Sequence, residues 1–227
     1  MAALEEQYDT VRVLKRGERG SVTLVRHRQS GERFIFRQYC GDGAVYKKLL
    51  SIECPNLPQV LEMAQSGENV AVLEEYVQGD CLSDLMTGAR LSVREARRIA
   101  RGVCGALCVL HEMGAVHRDV KPENVILRGA DAVLIDFDAA RMIRGGETAD
   151  TCVLGTTGYA APEQFGIAQT DARADIYSVG VLLNLMLTGK HPSRELAKGR
   201  LGRVVQKCTM VNPELRYANA IHLMEAL

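Results

Sequence analysis

The run His117-Arg118-Asp119-Val120-Lys121-Pro122-Glu123-Asn124 sets a carboxylate, an ammonium group and a carboxamide within six positions. Twelve positions past Asn124 stands another carboxylate, Asp136, in Asp136-Phe137-Asp138. A carboxylate can take the proton of a hydroxyl. A lysine ammonium neutralises a concentrated negative charge, and amide and carboxylate oxygens are the ligands that hard divalent cations prefer. These groups together are equipment for moving a proton and a highly charged group beside a metal ion. Such chemistry needs elements that hold the groups in place.

Tyr8–Lys15, Ser21–His27 and Arg33–Tyr39 alternate apolar and polar residues, with Gly17, Gly20 and Gly31 between them, and predict an antiparallel sheet. Ala44–Ile52 reads as a short helix, and Leu57–Met63 and Val70–Tyr76 as further strands. After Gly79 and Asp80 the pattern turns helical. Ser92-Val93-Arg94-Glu95 has capping-box form. It opens a helix with Ala96, Ile99, Ala100, Val103, Ala106, Leu107 and Leu110 on one face. Thr170 and Asp171 open another, with Ile176, Val179, Gly180, Leu183 and Leu187 inward. Two short strands, Val125–Leu127 and Ala132–Ile135, flank a glycine turn. The fold class is α+β: a small antiparallel β lobe (1–76), a hinge (77–80) and a larger helical lobe (81–227), one domain in all.

With Ala161-Pro162-Glu163 added, these motifs carry a resemblance. The chain resembles the eukaryotic-type (Hanks-type) serine/threonine protein kinases over almost its whole length. Residues 117–124 fill the pattern H-R-D-x-x-x-x-N. Lys121-Pro122-Glu123-Asn124 and the segment from Gly155 to Glu163 look like the serine/threonine branch. The resemblance implies a bilobal kinase-like fold and Mg2+- and ATP-dependent phosphoryl transfer. It implies Asp119 as base, Lys121 over the transferred group, and Asn124 and Asp136 as magnesium ligands. Gly17, Gly20, Val22, Arg37, Glu75, Val77 and Ile126 become nucleotide contacts. Glu163 is similar to a glutamate that pairs with a late arginine, here Arg216. Asp175 is similar to an aspartate that holds the catalytic loop from below.

The first lobe departs from the family's pattern. Lys15 replaces the first glycine of the glycine loop, leaving Gly17 and Gly20. Arg37 stands where the family has its phosphate-anchoring lysine, and a planar guanidinium is not a slim ammonium. Ile35 replaces a small alanine above the base. The helix glutamate that partners that lysine falls at or beside Val45 and is absent. Glu74, at the gatekeeper position, is the expected new partner of Arg37, because opposite charges on neighbouring strands attract and a buried lone charge is costly. Lys15, Arg16 and Arg19 form a second source of positive charge. Asp138 replaces the glycine of D-F-G, where glycine would allow unusual backbone angles.

Thr148, Thr151 and Thr156 are the regulatory candidates of the segment between Asp138 and the Ala-Pro-Glu motif. Thr148 and Thr151 suit phosphorylation read by Arg118, and Thr156 fits a threonine that bonds near the catalytic aspartate. The short stretch from Pro192 to Leu201 leaves a reduced docking region and favours autophosphorylation or one dedicated protein substrate. Lysine plus arginine and aspartate plus glutamate number 28 each, so the net charge is zero, which argues against nucleic acid as the main partner. No run of 18 apolar residues and no leader at Met1 is seen, so no membrane span is expected. The seven scattered cysteines suit core packing in a reducing cytoplasm, with Cys152 the one to test for redox sensitivity. Two readings stay open: a slow or mainly autophosphorylating serine/threonine kinase, and a pseudokinase that binds nucleotide or serves as a scaffold. A small-molecule kinase is a third, opposed by the Ala-Pro-Glu segment.

Overall fold

Alternating apolar residues and glycine turns in the first third produce five strands in the computed structural model, which describes residues 6–17, 20–88, 90–143, 156, 158–165 and 170–227. The strands are β1 (Tyr8–Gly17), β2 (Gly20–His27), β3 (Arg33–Cys40), β4 (Val60–Ser66) and β5 (Asn69–Glu75). They form one antiparallel sheet in the order β1-β2-β3-β5-β4. One short helix, α1 (Ala44–Leu49), lies between β3 and β4 and buries Val45, Tyr46 and Leu49. The chain divides into two compact units, and this sheet and helix belong to the smaller, Met1–Cys54 with Pro58–Val77.

Strand periodicity decides which side chains of this unit are buried. Val70, Val72 and Glu74 project to one face of β5, and Val70 and Val72 are fully buried. Arg37 lies opposite Val72, and Ile35 opposite Glu74. The register therefore carries Arg37 and Glu74 to the same buried face, as diagonal rather than directly opposed neighbours. Gly20 has a separate constraint. It sits at φ +153°, and a Cβ there would lie 2.0 Å from the Gln38 carbonyl oxygen, so only glycine lets β2 close against β3 at that end.

The larger unit comprises Pro55–Leu57 and Gln78–Leu227. Its elements are β6 (Asp80–Cys81), α2 (Leu82–Leu85), α3 (Val93–Glu112), β7 (Ala115–Val116), β8 (Val125–Arg128), β9 (Asp131–Leu134), β10 (Arg141–Met142), α4 (Ala172–Thr188), α5 (Gly199–Cys208) and α6 (Ala220–Ala226). The capping box forms: Ser92 Oγ accepts from the Glu95 amide at 3.2 Å, and the Glu95 carboxylate accepts from the Ser92 amide at 3.1 Å. The apolar stripe of α3 is buried throughout and packs on α4, α6 and β9. Asp171 caps α4 by accepting from the Arg173 amide, and Gly189 ends it at φ +71°. Helix α4 is buried on almost every side, as a central helix must be.

Two boundaries differ from the sequence reading. The expected strand from Leu57 begins only at Val60. Residues 55–57, expected in the first lobe, pack with the larger unit instead. Asn56 Nδ2 donates to the Ala132 carbonyl at 2.8 Å, the Leu134 amide donates to the Asn56 carbonyl at 2.9 Å, and Arg128 donates to the Pro55 carbonyl at 2.8 Å. Gly105 of α3 makes room for this turn, since a Cβ there would lie 2.6 Å from Asn56 Oδ1. Of the expected hinge 77–80, Asp80 is already paired with Leu127 in β6–β8, so the crossing between the units falls at Val77–Gln78.

Candidate active site

Asp119, Lys121, Asn124, Asp136 and Thr156 all belong to the larger unit. Asp119 is held from three directions. Thr156 Oγ1 donates to Asp119 Oδ1 at 2.6 Å, and Asn124 Nδ2 donates to Asp119 Oδ2 at 3.0 Å. Lys121 Nζ lies 2.7 Å from Asp119 Oδ2 and donates to Thr156 Oγ1 at 2.8 Å. The carboxylate is thereby fixed in one orientation while about 16% of its side chain remains exposed, so a hydroxyl can still reach it.

The loop carrying Asp119 is held in a costly backbone shape. Arg118 adopts φ +65°, unusual for a bulky residue and worth about 1–3 kcal/mol of strain. Asp175, fully buried on α4, accepts from the Arg118 amide at 2.8 Å and the His117 amide at 2.9 Å. Gln164 donates to the Arg118 carbonyl at 2.9 Å, and Arg118 Nε donates to the Ala139 carbonyl at 2.8 Å. Hydrogen bonds on both sides of the strained residue aim the next one, Asp119.

Electrostatics reinforce the clamp. Burial pushes the Asp175 carboxyl up, but the His111 hydrogen bond (2.8 Å), the charges of His111 and His117, and the His117 amide outweigh it, so the group stays below its ordinary value. His117 is driven below its ordinary value mainly by burial, against the pull of Asp175, Asp119 and Asp136. Its Nδ1 accepts from the Asp119 amide at 3.3 Å and its Nε2 faces the Ile135 carbonyl at 3.3 Å, the pattern of a neutral ring protonated on Nε2. Its ring also meets buried Phe137 edge-on, at 5.5 Å between centroids.

Asn124 and Asp136 are brought together by a backbone bond from the Ile135 amide to the Asn124 carbonyl, 2.9 Å. The Asn124 amide nitrogen is committed to Asp119, both at the carboxylate and at the main-chain oxygen (2.8 Å). Its side-chain oxygen accepts no hydrogen bond among the described residues. That oxygen and the Asp136 carboxylate are the donor set a magnesium ion takes, so the residues fit that metal. Asp136 adopts φ +69°, which aspartate tolerates better than most residues. Asp138 is exposed and needs no left-handed φ; its amide donates to Asp136 Oδ1 at 3.3 Å. Aspartate in the glycine position therefore strains nothing here.

Glu163 and Arg216 form a two-pronged ion pair, at 2.6 and 2.9 Å, with both residues buried. Arg216 also donates to the carbonyls of Arg173, Met210 and Val211. In the smaller unit, Arg37 Nε donates to Glu74 Oε1 at 3.0 Å, with side chains 5% and 3% exposed. Val22 pairs with Arg37 on β2–β3, and Val22 and Ile35 are half-buried. Glu75 accepts from the Gln59 amide at 3.1 Å, and Val77 ends this unit. Ile126 lies in the larger unit, opposite Cys81. Gly17 is the partner of Gly20 across the β1–β2 turn. Thr148, Thr151, Cys152 and Arg19 lie outside the described residues.

Two participants, and one buried polar residue elsewhere in the larger unit, escaped the sequence reading. His111 stands at the end of the α3 stripe, and its ring nitrogen meets Asp175 at 2.8 Å, a contact that only tertiary packing makes. Gln164, next to Glu163, is buried; its side-chain oxygen accepts from the Ala161 amide and its nitrogen donates to Arg118. Asn184 is a fully buried polar residue in the apolar run of α4, which is itself a signal.

The protein kinase domain family model matches residues 8–221. The chain is 34% identical to serine/threonine-protein kinase pkn2 of Myxococcus xanthus over 63% of this chain and 18% of that protein. It is 30% identical to serine/threonine-protein kinase D of Synechocystis sp. over 75% of this chain and 38% of that protein. It is 28% identical to PknB of Mycobacterium tuberculosis over 97% of this chain and 42% of that protein. The chain thus spans less than half the length of these relatives. No helix among the described residues is long and apolar enough to cross a membrane. The clamped aspartate, the adjoining oxygen pair and a family match running nearly end to end agree: this chain belongs to the Hanks-type serine/threonine protein kinase domain family.

Proposed function

We propose that the chain transfers the γ-phosphoryl group of ATP to a serine or threonine hydroxyl, on a protein substrate or on itself. The observation that carries this reading is the bonded set Asp119, Thr156, Lys121 and Asn124. The acceptor oxygen bonds to the γ-phosphorus as the bond to the bridging oxygen of ADP breaks, and the acceptor's proton passes to Asp119. Lys121 sets a positive charge beside that carboxylate, where the transferred group's charge must be balanced. Asn124 and Asp136 would hold Mg2+, which supplies charge neutralisation at the phosphates when bound. Gly17, Gly20, Val22, Arg37, Glu75, Val77 and Ile126 are the proposed nucleotide contacts. Thr148 and Thr151 are proposed phosphorylation sites. A cytoplasmic setting belongs to the same reading, supported by six described cysteines that are all unbridged.

A second reading, a pseudokinase that binds nucleotide or serves as a scaffold, is favoured by one observation. Arg37 is engaged with Glu74 inside the sheet, so a nucleotide phosphate must compete for its guanidinium. Incubation with Mg2+ and ATP, followed by phosphosite mapping beside Asp119→Asn, separates the two. The kinase reading expects phosphate on the wild type alone. Phosphate on neither protein, with excess peptide also unmodified, favours the pseudokinase.

A further inference from the structure

The larger unit contains a cavity of about 360 Å³ lined by Gly158, Gly189, Lys190, His191, Ser193 and Arg194. None of the six is acidic, and two are cations. Lys190 is shared with the neighbouring Glu195 at 2.8 Å. The Glu195 carboxyl is held below its ordinary value by the Lys190 hydrogen bond and charge, with Arg90 and Lys198 adding to the effect. That lone carboxylate is outnumbered. The Arg194 side chain makes no hydrogen bond or ion pair among the described residues.

His191 adds a donor. The Ser193 amide donates to its Nδ1 at 3.2 Å, and Ser193 Oγ lies 2.8 Å from the same atom. Nδ1 is thus the acceptor, and the neutral ring carries its proton on Nε2. The loop bearing these groups is not loosely attached. Asn184 Nδ2 donates to the carbonyls of Lys190 (2.8 Å) and Glu195 (2.7 Å), and its Oδ1 accepts from the Ala197 amide (2.8 Å). A single buried amide pins both ends of the cationic loop, which lowers the ordering cost of binding.

The position of the cavity gives its ligand. Gly158 lies two residues beyond Thr156, so their Cα atoms are at most about 7 Å apart. Thr156 is the residue whose hydroxyl donates to Asp119. The amides of Tyr159 and Ala160 both donate to the Thr156 carbonyl, and Ser178 of α4 donates to the Tyr159 carbonyl at 2.9 Å. These bonds therefore tie Thr156, beside the proposed base, to the residues that follow Gly158 at the cavity rim.

We propose that this cavity receives an anionic side chain, carboxylate or phosphate, of the protein substrate, a few residues from the accepting hydroxyl. The proposal rests on the kinase reading above and names its substrate class as acidic. The test uses the full chain with Asp119→Asn, so that binding is read without turnover. Labelled peptides with one threonine flanked by glutamates, phosphoserines or glutamines are titrated by fluorescence anisotropy at low salt. Either anionic peptide should bind roughly fivefold to tenfold tighter than the glutamine peptide, and the tighter of the two identifies which anion is taken. Adding Arg194→Glu should abolish the preference, and Arg194→Ala should reduce it. Arg194 is exposed, so its replacement should leave the melting temperature intact. Equal affinities for the three peptides, or a preference that survives Arg194→Glu, would overturn the proposal. Anion preference without phosphoryl transfer by the wild type would sink the kinase reading and leave the cavity assignment standing.

Discussion

Replacing Glu74 with alanine should destabilise the smaller unit severely, because it takes away a carboxylate that pairs with the Arg37 guanidinium in a sheet where the arginine side chain is 5% exposed. At 3.0 Å and an effective dielectric constant of about 20, the attraction between the two charges is on the order of 5 kcal/mol. Most of that is spent offsetting the desolvation of both groups, so the pair as a whole adds little net stability. Removing one partner keeps the desolvation cost and discards the attraction, a loss of about 3–5 kcal/mol. For a chain of this size about 1 kcal/mol corresponds to roughly 2–4 °C, so the melting temperature should fall by roughly 6–20 °C. Arg37→Met with Glu74→Leu should recover most of the loss, because apolar residues fill the same space without buried charge. Calorimetry on the wild type, Arg37→Met, Glu74→Leu and the double variant completes the cycle, with a coupling of about 2 kcal/mol or more expected. A fall below about 2 °C for Glu74→Ala, or a double variant equal to the sum of the singles, would refute the reasoning.

Thr156→Val removes the hydroxyl that bridges Asp119 and Lys121. The phosphoryl-transfer rate should drop roughly 10- to 100-fold, with Thr156→Ser restoring most of it, read by initial rates on a generic peptide. Gly20→Ala forces a Cβ to 2.0 Å from the Gln38 carbonyl oxygen; a loss of about 1–3 kcal/mol should appear in urea unfolding. Gly17→Ala, with nothing among the described residues within 4 Å, should stay within about 0.5 kcal/mol. Acid should destabilise the fold in two stages. His117 sits below its ordinary 6.5 in the folded chain, so the unfolded chain binds the extra proton first and stability is lost as pH falls below that value. Asp175, below its ordinary 3.8, extends the loss at lower pH. The melting temperature should fall from about pH 7.5 to about pH 5.5, and His117→Gln should flatten that slope.

The loop 117–124 was legible because its groups are contiguous, and a short loop leaves few ways to arrange Asp119, Lys121 and Asn124. The α3 helix was legible for a similar reason: its capping box and apolar stripe are local. The Arg37–Glu74 pair could be inferred from two charges on neighbouring strands, but its diagonal geometry depends on a register set by every pair along β3 and β5. Residues 55–57 were misassigned because sequence order places them beside the sheet, while Asn56 bonds to Ala132, 76 positions away. His111 and Gln164 were missed for the same cause. Each acts through a partner that only tertiary packing brings near, and neither carries a local pattern that sets it apart. For Asp138 the sequence leaves several roles open, from restricting the segment to binding metal, repelling phosphate or capturing Arg37; the left-handed angle falls on Asp136 instead.

The most direct test of the account is the rate of radiolabel transfer from ATP to a threonine peptide at saturating Mg2+, in the wild type beside Asp119→Asn. A positioned general base contributes about 10²–10⁴-fold. The account predicts a loss in that range with nucleotide affinity unchanged. Equal rates in the two proteins, or no transfer by either, would contradict it.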